Sequence, residues 1–257
     1  MIIPKLKGGL GNQMFTIAAA YSKSLDLNTD FAINYDLQHT GGQGQPPINH
    51  KHDFFKKINH TTETPSYVFR ELDWSYSPIP NNIDMIIEGY FQSEKHFEKH
   101  SDKIKDLWNF SDDIKTKINN AFKKIPKKII GMHVRLGDYI HYKDTHLVCT
   151  RDYYVNSLKQ YNLDDYIVIV CTDDEASYRK YINIDNVIIS NSKSELEDLY
   201  LLSQCDAVIM SNSTFSWWGA YLGKVKDKIC APSKWFNFSG PQNYADIYND
   251  KWTIIPV

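Results

Sequence analysis

The sequence predicts an α/β chain built on parallel sheets, and three observations predict it. From Ile129 onward, short apolar runs (Ile129 to Val134, Tyr166 to Cys171, Val187 to Ile189, Ala207 to Met210 and Lys228 to Ala231) recur at regular intervals. Helix-like segments lie between them, near Arg151 to Tyr161, Asp174 to Tyr181, Ser194 to Gln204 and Thr214 to Leu222. Uninterrupted apolar runs are strands buried on both faces, the pattern that helices on each side of a parallel sheet produce. The third observation is where the polar residues fall: Arg135 to Asp138, Thr172-Asp173-Asp174, Ser190-Asn191 and Ser211 to Thr214 all follow strands. Ligands of open parallel sheets bind beyond those carboxyl ends.

The amino half is less regular. A short strand, Ile2 to Leu6, leads through Gly8-Gly9-Leu10-Gly11-Asn12-Gln13 into a helix from Met14 to Leu25 and then a strand from Phe31 to Tyr35. A loop rich in glycine and proline, Thr40 to Pro47, is long enough to be functional. The strand Met85 to Glu88 precedes Gly89-Tyr90-Phe91-Gln92-Ser93 and helices near Glu94 to Trp108 and Ser111 to Ile125. In the last of these, Ile114, Ile118, Phe122 and Ile125 make one apolar stripe, and Pro126 ends it. That proline sets the expected boundary between two domains, residues 1–126 and 127–257. In the second, Ser194-Glu195-Leu196-Glu197 has the form of a capping box.

Composition excludes several classes. With 29 basic against 31 acidic residues the chain lacks the basic excess of a nucleic-acid binder, and the run Lys123 to Lys128 reads as a solvated linker at a helix end. Cys149, Cys171, Cys205 and Cys230 lie far apart with no C-x-x-C pair, so they are expected as reduced thiols, with neither a zinc cage nor a disulfide framework. No long apolar stretch reads as a leader or a membrane span, and the expected location is the cytoplasm.

Five groups carry candidate chemistry. His133 and Arg135 emerge on one strand face, and an arginine at a strand end either donates its planar fork to a phosphate or carboxylate ligand or sits in an ion pair with Asp138. The glycine turn Gly8 to Gln13 offers backbone amides to an anion, although Met14 stands at the third glycine position of a dinucleotide fingerprint. Ser211, Asn212, Ser213 and Thr214 open a helix and form either a second anion-binding end or a plain cap, with Trp217 and Trp218 packing on the sheet. Asp173 and Asp174 have the look of a metal-binding acidic pair, but a single such pair in an early helical turn reads more readily as capping, and an acidic side chain at a strand tip also accepts bonds from a ribose or a purine. Glu88, at a strand end, is a paired surface glutamate or a functional carboxylate.

Four blocks, Gly8 to Phe15, Glu88 to Lys95, His133 to Tyr139 and Ser211 to Ala220, resemble the fucosyltransferases of glycosyltransferase family 11, in particular the bacterial α-1,2 group. The resemblance implies two Rossmann-like domains facing across a cleft, the GT-B arrangement, with residues 1–126 binding acceptor and 127–257 binding GDP-fucose. It implies inverting transfer of L-fucose to O2 of a terminal β-galactoside in glycan or O-antigen synthesis, with no metal and no cofactor, and no nucleic-acid partner. A lipid-linked acceptor would bring the enzyme to the inner membrane surface. Gly11, Asn12, His133, Arg135, Asp173, Ser211, Asn212, Ser213 and Thr214 are the expected donor contacts. Arg135 is expected to stabilise the leaving pyrophosphate, with Asp138 first and Glu88 second as general base. The chain departs from the family in having Leu136 where a second arginine usually stands, and in being short. Two rival readings are an NAD-dependent oxidoreductase, which Met14 opposes, and a non-catalytic glycan- or nucleotide-binding protein, which turnover would distinguish.

Overall fold

The structure is a computed structural model that describes residues 1–38, 44–224 and 228–257. Of the expected loop from Thr40 to Pro47, residues 40–43 lie outside the described residues. The chain divides into two compact units: Met1–Ser111 with Asn243–Asn249, and Asp112–Gln242 with Asp250–Val257.

The first unit is built on a three-stranded parallel sheet. Its strands are β1 (Ile2–Lys5), β2 (Val68–Arg70) and β3 (Met85–Glu88), in the order β1-β3-β2. Helix α1 (Leu10–Leu27) follows β1, and Ala19 and Ala20 pack with Ile2, Met85, Ile87 and Phe91 into a core. The helix starts four residues earlier than the sequence predicts. Gly8 has φ +73°, and a Cβ there would lie 2.5 Å from Asn12 Nδ2, so the glycine turn is confined to Gly8 and Gly9. Gly11 and Asn12 therefore belong to the first helical turn. The expected strand Phe31 to Tyr35 supplies only isolated bridges, Ile2 with Phe31 and Ile33 with His60. The expected helix Glu94 to Trp108 is broken into 3-10 turns at Glu94–His96 and Glu98–His100 and a short α2 (Ser101–Leu107). The break is at Phe97 (φ −145°, ψ 5°), fully buried with its ring 6.0 Å from that of Phe15; tertiary burial there overrides helical continuity. Strand β2 lies in an aromatic stretch too short and irregular to show a period of two.

The second unit opens with α3 (Asp112–Phe122). Its sheet contains β4 (Lys128–Val134), β5 (Tyr166–Thr172), β6 (Val187–Ile189), β7 (Ala207–Ile209), β8 (Ile229–Pro232) and β9 (Thr253–Ile255). All pairings are parallel, in the order β6-β5-β4-β7-β8-β9. The helices are α4 (Gly137–His141), α5 (Arg151–Leu158), α6 (Glu175–Tyr181), α7 (Glu195–Gln204) and α8 (Thr214–Leu222). Five strands stand where the apolar runs predict them; β9 and the five-residue α4 were not expected.

Counted from β4, the strand order is 3-2-1-4-5-6, that of a doubly wound nucleotide-binding sheet. The chain reverses its direction of growth between β4 and β7, so the carboxyl ends of these two strands flank the topological switch point. The units divide at Ser111 and Asp112, not at Pro126, because α3 is fastened to α7 by Lys117–Glu197 (2.6 Å) and by a bond between Asn119 and Tyr200. The helix itself stops at Phe122, before the expected end at Pro126, and a proline near a helix end is a local event, whereas the boundary follows the packing of α3. No helix among the described residues is long and apolar enough to cross a membrane.

Candidate functional site

Two of the four motif blocks meet at the switch point. His133, near the carboxyl end of β4, places Nδ1 2.8 Å from the Oγ of Ser211, just beyond β7. Both side chains are buried, and burial, reinforced by the neighbouring positive charge of Arg135, lowers the imidazole pKa to about 3. A neutral His133 thus pins the two strand ends together. Tyr139 adds a second tie, donating its hydroxyl to the backbone oxygen of Asn212 at 3.1 Å.

Arg135 lies immediately past β4 with its side chain 28% exposed. Its Nη2 is 2.8 Å from Asp138 Oδ1 and its Nε 3.2 Å from Asp173 Oδ2, while its guanidinium carbon sits 5.5 Å from the Tyr139 ring centroid. The sequence left open an ion pair with Asp138 or an anion-binding role, and the structure shows the ion pair. A guanidinium has five N–H donors, so two carboxylate contacts fix its plane and leave capacity for a ligand. Asp173 also accepts the Leu136 amide at 2.9 Å, and a Cβ on Gly137 would lie 2.5 Å from its Oδ2. The glycine is what lets this carboxylate rest against the start of α4. Asp174 acts differently, capping α6 by accepting the Ser177 amide at 2.9 Å. Leu136, at the position of the family's second arginine, is fully buried in the core with Met132 and Val134.

The loop after β7 sorts its members differently from the sequence expectation. Ser211 and Asn212 are turned inward. Asn212 Nδ2 donates to the carbonyls of Leu147 (2.9 Å) and Trp235 (2.8 Å), and its Oδ1 accepts from Cys149 Sγ at 3.4 Å. Its side chain is consumed in fastening two neighbouring loops, a role no spacing in the sequence reveals. Ser213 caps α8 by accepting the Phe215 amide at 3.3 Å, and Thr214 begins the helix with its side chain partly exposed. Trp217 and Trp218 are fully buried and pack with Tyr221, as core residues.

In the first unit the other two blocks meet. Asn12 Oδ1 accepts from Gln92 Nε2 at 2.8 Å, and Thr16 Oγ1 donates to the Gly89 carbonyl at 3.1 Å. Gly11 is buried within α1. Glu88 is held by Lys5 at 3.1 Å and Arg70 at 3.2 Å. Partial burial opposes its ionisation, but the bond and charge of Lys5, with the charges of Arg70 and Lys7, outweigh it and lower its pKa. Glu88 is therefore a paired carboxylate and a weak base.

Glu71 is absent from the candidates that the sequence suggests. It follows β2, and its carboxylate accepts the amides of Tyr90 at 2.6 Å and Phe91 at 2.9 Å. Burial, with a contribution from Asp73, raises its pKa despite those bonds and the charge of Lys7. One signal was available: Gly89, where a Cβ would lie 2.4 Å from Glu71 Cβ and 2.7 Å from Oε2. Among the described residues no group of three His, Cys, Asp or Glu side chains is placed to hold a metal.

The model of the family described as "Glycosyl transferase family 11" matches residues 48–256. Over its whole length the chain is similar to an alpha-1,2-colitosyltransferase of Escherichia coli, 26% identical with 99% of each chain covered. It is similar to the O-antigen biosynthesis glycosyltransferase WbnK of Escherichia coli, 28% identical over 96% of this chain and 98% of the other. A galactoside 2-alpha-L-fucosyltransferase of Caenorhabditis elegans is 27% identical over 89% of this chain and 71% of its own. Among solved structures, the fucosyltransferase NodZ from Bradyrhizobium shares the fold, with TM-score 0.61, 17% identity and 93% and 95% of the two chains covered.

Proposed function

We propose that this chain, which belongs to glycosyl transferase family 11, transfers L-fucose from GDP-β-L-fucose to O2 of a terminal β-galactoside, inverting the anomeric centre without a metal ion. The observation that carries the reading is the His133–Ser211 bond across the switch point, flanked by the Arg135 guanidinium and the start of α8. A doubly wound sheet binds nucleotides there, and the groups present suit a diphosphate. The similarity to an α-1,2-glycosyltransferase and to a galactoside fucosyltransferase, over nearly the whole chain, supports the donor and the linkage. The finer architectural reading, a GT-B pair of Rossmann-like domains with the amino unit taking acceptor, rests on the motif blocks and on the shared fold.

In the transition state negative charge gathers on the departing pyrophosphate while the sugar takes on oxocarbenium character. Arg135, held in plane by Asp138 and Asp173, and the positive end of α8 at Ser213 and Thr214 are the groups we assign to receive that charge, although the Ser213 amide is itself donated to the Ser211 carbonyl at 2.8 Å. Asp173, past the strand adjacent to β4, lies where an acidic side chain accepts bonds from a ribose or a base. The expected compartment is the cytoplasm, with a lipid-linked acceptor bringing the enzyme to the inner membrane surface during O-antigen assembly.

The test is product analysis. GDP-fucose is incubated with lactose, N-acetyllactosamine and other galactosides in EDTA, and the linkage is assigned by NMR. Fucose at O2 of galactose is the expected result. Transfer to O3 or O4 overturns the regiochemistry, and dependence on a divalent ion or on UDP-sugars overturns the donor reading. Because one full-length relative is a colitosyltransferase, GDP-colitose is run in parallel. A strong preference for it would replace fucose by its 3-deoxy counterpart while leaving the linkage in place.

A further inference from the structure

We propose that Glu71 is the general base that takes the proton of the acceptor hydroxyl, an assignment that rests on the transferase reading above. β2 and β3 are parallel and end together, Arg70 opposite Glu88, so Glu71 stands at the carboxyl edge of its sheet, beside the motif Glu88-Gly89-Tyr90-Phe91. Ligands of parallel sheets approach that edge.

The chain is shaped around this carboxylate. Gly89 is required because any Cβ there collides with the Glu71 side chain. Phe91 adopts φ +50°, the left-handed region that a bulky residue avoids, in the loop whose Tyr90 and Phe91 amides close on the two oxygens. Those two bonds fix the carboxylate's orientation. Each oxygen of an ionised carboxylate has a further acceptor position, so proton-accepting capacity remains. Tyr90 adds a wall: its ring is stacked on Trp74 at 4.9 Å, with Lys7 Nζ 4.2 Å from its centroid.

The two carboxylates at this edge are driven apart by their surroundings. Glu88 is neutralised by two cations and its pKa is lowered; Glu71 is desolvated and its pKa is raised. Of such a pair the raised one is the better proton acceptor. The charged and titratable groups that face Glu71 are Lys7, Asp73 and Tyr90. In the step itself, the acceptor oxygen forms a bond to the anomeric carbon and the bond from that carbon to the β-phosphate oxygen breaks, its electron pair leaving with GDP. The hydroxyl proton passes to Glu71, which releases it to water when the product departs.

A purely structural clamp predicts lost stability; a base predicts a changed pH profile. Glu71→Gln is compared with wild type for GDP affinity, melting temperature, kcat, KM for lactose and the pH dependence of kcat/KM. The expected result is GDP affinity within about twofold of wild type, kcat lowered at least about a hundredfold, and loss of the acid limb that wild type shows. Glu71→Asp, which keeps the charge on a shorter arm, should retain that limb with lowered kcat, and it decides the matter if the glutamine variant does not fold. An acid limb that persists in Glu71→Gln, or Glu71→Asp with wild-type kcat throughout, overturns the assignment. Wild type that transfers no sugar to any galactoside overturns the transferase reading instead, so the two failures are separable.

Discussion

Arg135, immediately past β4 at the switch point, is held by two acids, Asp138 at 2.8 Å and Asp173 at 3.2 Å. Two carboxylates fix the plane of the guanidinium, and its remaining N–H donors serve an incoming diphosphate. Arg135→Ala removes a preorganised charge stabiliser and should lower turnover on the order of a hundredfold or more. Arg135→Lys should recover little, since an ammonium cannot reproduce the planar contacts to both acids and a phosphate. Steady-state kinetics with the melting temperature recorded alongside checks this. A folded alanine variant with nearly full activity would remove Arg135 from the mechanism.

At the level of elements, the loop between β7 and α8 is positioned by Asn212, which ties it to the carbonyls of Leu147 and Trp235 and to the thiol of Cys149. Asn212→Leu fills a similar volume but leaves both carbonyls without that donor in a buried place. It should cost about 3 kcal/mol of stability, the scale of unsatisfied buried polar groups, and weaken GDP binding as α8 loses its register. Urea unfolding and calorimetry measure the two effects, and a variant of wild-type stability would show that the fastening is dispensable. The sequence exposed this site unevenly, for physical reasons. The motif blocks were legible because strand, turn and helix start are local patterns, and the structure joins them in pairs, Asn12 to Gln92 in one unit and His133 to Ser211 in the other. The inward turn of Asn212 was not legible, because its partners lie 65 and 23 residues away. Glu71 was hidden for the same reason: only Gly89, well downstream, carries its imprint. Short β2 and the broken helix before α2 escaped because burial, not periodicity, decides them.

For the whole molecule, the imidazoles whose ionisation is opposed by desolvation govern much of how stability varies with pH. Burial lowers His133 to about 3, with Arg135 assisting, and His96 to about 4 although Asp246 opposes the shift; His146 is lowered in the same way. A histidine whose folded pKa is depressed is neutral in the fold at a pH where the unfolded chain already binds a proton. Its contribution is therefore complete above about pH 6.5, the ordinary histidine value, and is lost as the pH falls toward the folded value. Glu88, Glu197 and Asp246, lowered by their lysine partners against the cost of burial, act in the same direction but only below the ordinary carboxylate range, near pH 4. In the window from about pH 6.5 to about 4 the histidines, each contributing up to about 1.4 kcal/mol per pH unit, act against Glu71 alone among the shifted carboxylates, whose raised pKa favours the fold as it takes up its proton. Urea unfolding at pH 7.5, 6.5, 5.5 and 4.5 should show a plateau and then a steady decline beginning near pH 6.5. His96→Asn and His133→Asn should each make the decline shallower, whatever they do to stability at pH 7.5. A wild-type unfolding free energy that stays level from pH 6.5 to 4.5 would mean that these rings take up protons in the folded state, and that the neutral His133 joining β4 to β7 is not the form present.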